Sequence, residues 1–198
     1  MLDLARACRT DPGLTAAVES ALSEHAAAIT ATTLAAKVLQ LTFPGVPDVY
    51  QGCEWLALTL VDPDNRRPVD YPDLHSRFVR LDETEGAGSG SDVSEAKVWV
   101  TSRILRLRRE RPELFGADSS YRPLESSSHL VGFVREHTDG AVVTVVPRVS
   151  WTREAPSTTL PDGRWTDVLS GSVHEGGPRQ QSELLGHLPV AVLVRESG

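Results

Sequence analysis

Cysteine is scarce in this chain: Cys8 and Cys53 are the only two among 198 residues. They form no CxxC pair and no disulfide framework, which excludes a disulfide-stapled scaffold and a cysteine-ligated metal site. No feature marks Cys53 as a nucleophile, so both read as plain reduced thiols. Long hydrophobic runs are missing too. No stretch approaches the ~18 apolar residues of a membrane span, and the opening MLDLARACRTDPG lacks the apolar region of a signal peptide. No membrane partner is expected, and a reduced, cytoplasmic setting is the default expectation. Basic charge is short as well: 20 Lys and Arg face 27 Asp and Glu, a net charge of −7. The one basic cluster, RILRLRRER at 103–111, reads as the solvated face of a helix. Nucleic acid is not expected as a partner, because phosphate backbones need clustered cations. The histidines (25, 75, 129, 137, 174 and 187) are scattered, and neither GxxxxGK[ST] nor GxSxG occurs. No metal or other cofactor is expected.

What the chain does have is apolar content for a core, 40% of its residues, distributed in two styles. The first 45 residues are Ala-rich and helical in pattern. One helix is expected over 15–25, started by Asp11-Pro12, and a second over 26–41. In the second, Ala27, Ala31, Leu34, Ala35, Val38 and Leu41 recur at three- and four-residue steps. Pro44-Gly45 stops it, a short buried strand is expected at 46–50, and an ordered loop at 51–72. A short helix follows at 73–82. The EGAGSGSD stretch at 85–92 has linker composition. Ser94 is placed to cap the next helix, which ends before Pro112. Its apolar face holds Ala96, Trp99, Val100, Ile104 and Leu107, with Arg103 inside it as a snorkelling side chain, a ligand or an ion-pair partner. From Tyr121 the pattern turns to short strands: 130–135 and 141–146 around HTDG, 164–169 after a Pro161-Asp162-Gly163 turn, and 190–195. The VVTVVP strand is apolar on both faces, so both must be covered. The spacing of strands and turns predicts an antiparallel β-sandwich. The chain divides into 1–120 and 121–198.

Polar side chains concentrate in PGVPDVYQGCEWLALTLVDPDNRRPVDY, residues 44–71. Asp48, Tyr50, Gln51, Glu54, Asp62, Asp64, Asn65, Arg66, Arg67 and Asp70 fall close together, on a backbone stiffened by Pro44, Pro47, Pro63, Pro68 and Pro72. Planar groups of this kind bind the paired hydroxyls of sugars, and the rings of Tyr50 and Trp55 suit apolar sugar faces. A plainer reading is structural. Asp62-Pro63-Asp64-Asn65 fits a type I turn, with Arg66 and Arg67 paired to nearby carboxylates.

The residues also carry a resemblance. LTFPGVPDVYQGCE (41–54) followed by LVDPDNRRPVDY (60–71) resembles the maltooligosyl trehalose synthase family of the α-amylase superfamily. It continues in AKVWVTSRILRLRRERPELF (96–115), VVTVVPR (142–148), LPDGRWTDVLSG (160–171) and LPVAVLVRE (188–196), in family order. The resemblance implies an α+β fragment: the last strand and flanking helices of an amylase-type (β/α)8 barrel, then a C-terminal β-sandwich. It implies an intramolecular transglycosylation that turns the reducing-end α-1,4 bond of a maltooligosaccharide into an α,α-1,1 bond. Such retaining chemistry needs a carboxylate nucleophile and a carboxylic acid/base close together; the family uses a third carboxylate. No match to the motifs carrying these acids is found, so no catalytic residue is assigned. The chain is expected to be inactive alone and to need the missing N-terminal barrel segment. A free-standing saccharide-binding or interaction module is the alternative.

Overall fold

The computed structural model describes residues 7–8, 10–84, 92–148 and 155–195. Most of the EGAGSGSD stretch lies outside them. Among the described residues, four complete α-helices precede or interrupt one six-stranded antiparallel sheet, an α+β arrangement. The helices are α1 (Pro12–Thr42), α2 (Tyr71–Glu83), α3 (Val93–Glu110) and the single turn α4 (Gln181–Leu184). The strands are β1 (Ser120–Pro123), β2 (Leu130–His137), β3 (Gly140–Pro147), β4 (Ser157–Asp167), β5 (Val173–Gln180) and β6 (Ala191–Arg195). They lie in the order β1-β2-β3-β6-β4-β5.

The two helices expected over 15–25 and 26–41 are one. Asp11 caps α1 by accepting from the Leu14 N–H at 2.8 Å, with Pro12 at the first turn. The residues between carry no breaker, so nothing interrupts the ladder until Pro44. Only the C-terminal third is buried, through Leu34, Ala35, Val38 and Leu41. α3 is capped by Asp92, not Ser94: the Glu95 N–H bonds Asp92 Oδ1 at 2.8 Å. Its end at Glu110 follows from Pro112, which drives Arg111 out of the helical region to φ −130, ψ 58.

Alternation along β3 sorts its side chains between two cores. Val142 and Val146 join α1 and α3, together with Val190 and Val192; Ala141, Val143 and Val145 join a second cluster with Leu160, Trp165, Leu184 and Leu193. Both faces are thus covered, as VVTVVP requires. All six strands belong to one sheet, not to the two sheets of the expected sandwich. The sheet curls until the segment after β1 meets the start of β4: Thr159 N–H bonds Glu125 O at 2.9 Å and Ser127 N–H bonds Ser157 O at 2.8 Å. The second cluster lies inside this curl.

The curl depends on the bend in β4. Pro161-Asp162-Gly163 is no hairpin turn; it is a bulge between the pairs Leu160–Gly177 and Arg164–Glu175, with Gly163 at φ +122. The strand runs on through it. The β2–β3 turn itself is Thr138-Asp139, since His137 pairs with Gly140. Gly140 serves packing instead: a Cβ there would collide with the Arg111 guanidinium.

Candidate functional site

Two arginines fix where the Pro-rich stretch begins. α1 ends with no basic residue in its last turn. Arg108 of α3 supplies one, donating to Leu41 O at 3.0 Å and Gly45 O at 3.1 Å. Buried Arg135 of β2 reaches Gly116 O at 3.0 Å and Phe43 O at 3.5 Å. Both guanidiniums lie against the Phe115 ring, at 4.6 and 5.5 Å from its centroid. Burial lowers both arginine pKa values, and their mutual repulsion lowers that of Arg135 further. Phe43 stacks on Phe133 at 4.9 Å. The exit of α1 is therefore pinned to α3 and the sheet.

Beyond this anchor the expected buried strand at 46–50 is absent. The segment joins no strand ladder, its Asp48 carbonyl accepts from the Gln40 side chain, and Val46 is 95% exposed. A strand is a cooperative object; without neighbouring strands to pair its N–H and C=O groups it does not form.

The ten candidate side chains fall into four places. Asp48 and Tyr50 line a cavity of about 500 Å³ with Lys37, Gln40, Cys53 and Lys97. Glu54 lines a separate, mainly apolar groove of about 360 Å³ with Trp55, Tyr71 and Phe78. Gln51 is exposed in the turn between them. Asp62, Asp64, Asn65, Arg66 and Arg67 occupy a projecting loop preceded by Leu58 and Leu60, 92% and 79% exposed. Asp70 caps α2, accepting from the Asp73 N–H at 3.1 Å, and so starts that helix two residues earlier than expected.

Within the loop, the turn closes one residue before the expected type I turn, through Asp64 N–H to Val61 O at 3.0 Å, with a cis Asp62–Pro63 peptide. A 3₁₀ turn, Asp64–Arg66, follows. Arg66 pairs with Asp62 at 2.5 Å and Arg67 pairs with Asp64. The Leu60 N–H, with help from Arg67, holds the Asp64 carboxyl below its ordinary pKa. Both arginine heads therefore meet the neighbouring carboxylates that the plainer reading proposed.

Sequence reasoning passed over Lys37 and Lys97. Lys37 is 6% exposed in a helix whose neighbours at 34, 35, 38 and 41 are buried apolar residues. A cation in such a row was the available signal. Burial pushes Lys37 below the ordinary lysine pKa, with the charge of Lys97 acting in the same direction; burial likewise lowers Lys97. Arg103 snorkels: Nε donates to Val168 O at 3.1 Å while the guanidinium lies 5.3 Å from the Trp99 ring. No helix among the described residues is long and apolar enough to cross a membrane.

The arrangement can be set beside known proteins. No protein-family model matches the chain. A provisionally named maltooligosyl trehalose synthase of Mycobacterium tuberculosis is 41% identical over 175 residues. The chain is a relative of the maltooligosyl trehalose synthases. The match to the mycobacterial synthase takes in 83% of this chain and 20% of the longer protein. The maltooligosyltrehalose synthase structure from Arthrobacter ramosus superposes with a TM-score of 0.84 at 35% identity, over 98% of this chain and 26% of that one. An α-amylase from Geobacillus thermoleovorans shares the fold at a TM-score of 0.57 and 21% identity, over 85% of this chain. The chain thus spans about a fifth to a quarter of the synthases it matches.

Proposed function

We propose that the chain is the closing part of a trehalose-forming glucosyltransferase. It supplies one wall of a maltooligosaccharide site and the terminal β region. The carrying observation is the superposition on the Arthrobacter synthase along nearly the whole chain. In this reading residues 1–120 are the end of an amylase-type barrel with its helical connection, and 121–198 are the C-terminal β region. The segment 46–50 is the last barrel strand, whose neighbours belong to the rest of the enzyme. Its exposed Val46 and the exposed Leu14, Val18 and Leu22 of α1 support this, since each lacks the apolar cover a barrel provides.

The wall consists of Asp48, Tyr50, Gln51, Glu54, Asp62, Asp64, Asn65, Arg66, Arg67 and Asp70. Their role is binding and positioning. Retention requires two carboxyl groups about 5–5.5 Å apart flanking the anomeric carbon. Three acids here are already engaged: Asp62 with Arg66, Asp64 with Arg67 and the Leu60 N–H, and Asp70 with the α2 terminus. The nucleophile, the acid/base and the third carboxylate come from other parts of the enzyme.

The test is incubation of the purified chain with maltopentaose, followed by chromatography for a non-reducing product. No conversion above a protein-free blank is expected. Conversion that survives repurification would place the acids within these residues and overturn the division of labour.

A further inference from the structure

Lys37 and Lys97 are the only lysines in the chain; the other 18 basic residues are arginines. Both line the same cavity, though 60 residues apart on α1 and α3. Lys37 is buried and Lys97 half-buried. An ammonium carries three donors. Lys37 Nζ donates to Gln40 Oε1 at 2.6 Å, and Lys97 Nζ donates to the Trp55 carbonyl at 2.9 Å. Among the described residues, neither has a carboxylate within ion-pair distance. Glu54 and Cys53 act on both only through space, and Asp48 and Tyr50 form part of the cavity wall.

A partly buried charge without a carboxylate partner gives up part of its hydration without compensation. Two cations sharing a cavity also repel. An anion placed between them removes both costs and engages the remaining donors. The nearby carboxylates of Asp48 and Glu54 limit the charge that fits, favouring one negative charge over two. Each ammonium is a compact point charge with three rotatable donors, so the two can meet a carboxylate from separate sides.

We infer that the Lys37–Lys97 cavity is a carboxylate-binding site, filled by an acidic side chain from polypeptide outside these 198 residues or by a small free carboxylate. The cavity shares Asp48 and Tyr50 with the proposed glucan wall, but a neutral maltooligosaccharide would leave both ammonium charges uncompensated.

With only two lysines, isotope-labelled lysine gives two side-chain signals, and their pH titrations report the site directly. The experiment compares sodium acetate, the capped peptide acetyl-Ala-Glu-Ala-amide and sodium chloride at equal ionic strength, with maltopentaose as a neutral control. Acetate or the peptide should displace both lysine signals saturably and raise both lysine pKa values. Tighter binding of the peptide identifies a side-chain source; equal or tighter binding of acetate identifies a free one. Lys37→Met or Lys97→Met should weaken binding about tenfold or more, the scale of a lost charged hydrogen bond. The wild-type titration stands on its own should a variant fail to fold. Carboxylate effects no larger than those of chloride, or displacement by maltopentaose alone, would overturn the site.

Discussion

Single side chains decide how the polar groups of this chain are used, and Asp167 shows it most clearly. It is 2% exposed at the end of β4. Its carboxyl accepts from the Leu169 N–H at 3.2 Å, the Val192 N–H at 3.1 Å and the Ser170 hydroxyl at 2.6 Å. Burial raises its pKa above the ordinary value despite these bonds. An acid with a raised folded-state pKa favours folding fully below its unfolded value, near 4, and loses that contribution as pH rises through the folded value. Asparagine keeps the acceptor and removes the charge. Asp167→Asn should therefore retain stability at neutral pH and flatten the decline with rising pH. Asp167→Ala should cost about 2 kcal/mol or more, because two buried N–H groups lose their acceptor. Urea denaturation of the three proteins between pH 4 and 8 checks this; equal loss in both variants would reject the hydrogen-bonding account. Asp167 was not legible in advance, since WTDVLSG announces a strand end but not which carboxylate turns inward.

At the scale of elements, the β4 bulge shapes the sheet. Three β4 residues, 161–163, face the single residue Gly176 of β5. A Cβ on Gly176 would lie 2.6 Å from Pro161 O and 2.8 Å from Asp162 Cα, both backbone atoms that cannot yield. Gly176→Ala should cost about 1–3 kcal/mol, a fall in melting temperature of several degrees for a chain of this size. Gly186→Ala is the control, because a Cβ there meets nothing within 4 Å. Equal melts for the two variants would show that the bulge is not tightly packed. These elements also mark how far the sequence could be read. The apolar faces of α1 and α3, the β2–β3 hairpin and β6 were legible because their periodicity is local. The join of two helices into α1 was hidden by a division that no breaker residue supports. β5, VHEGGPRQ, was missed altogether: it is polar and Gly-Pro-rich, and only pairing along β4 makes it a strand. A single curled sheet and a sandwich write the same alternation into each strand, so the sequence pattern could not separate them.

At the scale of the whole molecule, α1 presents the clearest uncovered apolar row. Leu14, Val18 and Leu22 are 45%, 50% and 56% exposed at four-residue spacing, one apolar row along the helix. The isolated chain should therefore associate, and size-exclusion chromatography with light scattering should show species larger than 21.5 kDa. Replacing the three with Gln should restore the monomer; a wild-type monomer that binds no hydrophobic dye would contradict the uncovered row. The candidate glucan wall was legible as a cluster in sequence, yet the structure spreads it over a cavity, a groove, a loop and a helix cap. On the proposed reading, these places would converge on a ligand only within a complete synthase. The most direct measurement is a chimaera in which these residues replace the matching quarter of the Arthrobacter synthase, assayed for conversion of maltopentaose to a non-reducing product. The account predicts turnover by the folded chimaera, and no turnover by either portion alone. A chimaera that folds and melts cooperatively yet leaves maltopentaose unchanged would contradict it.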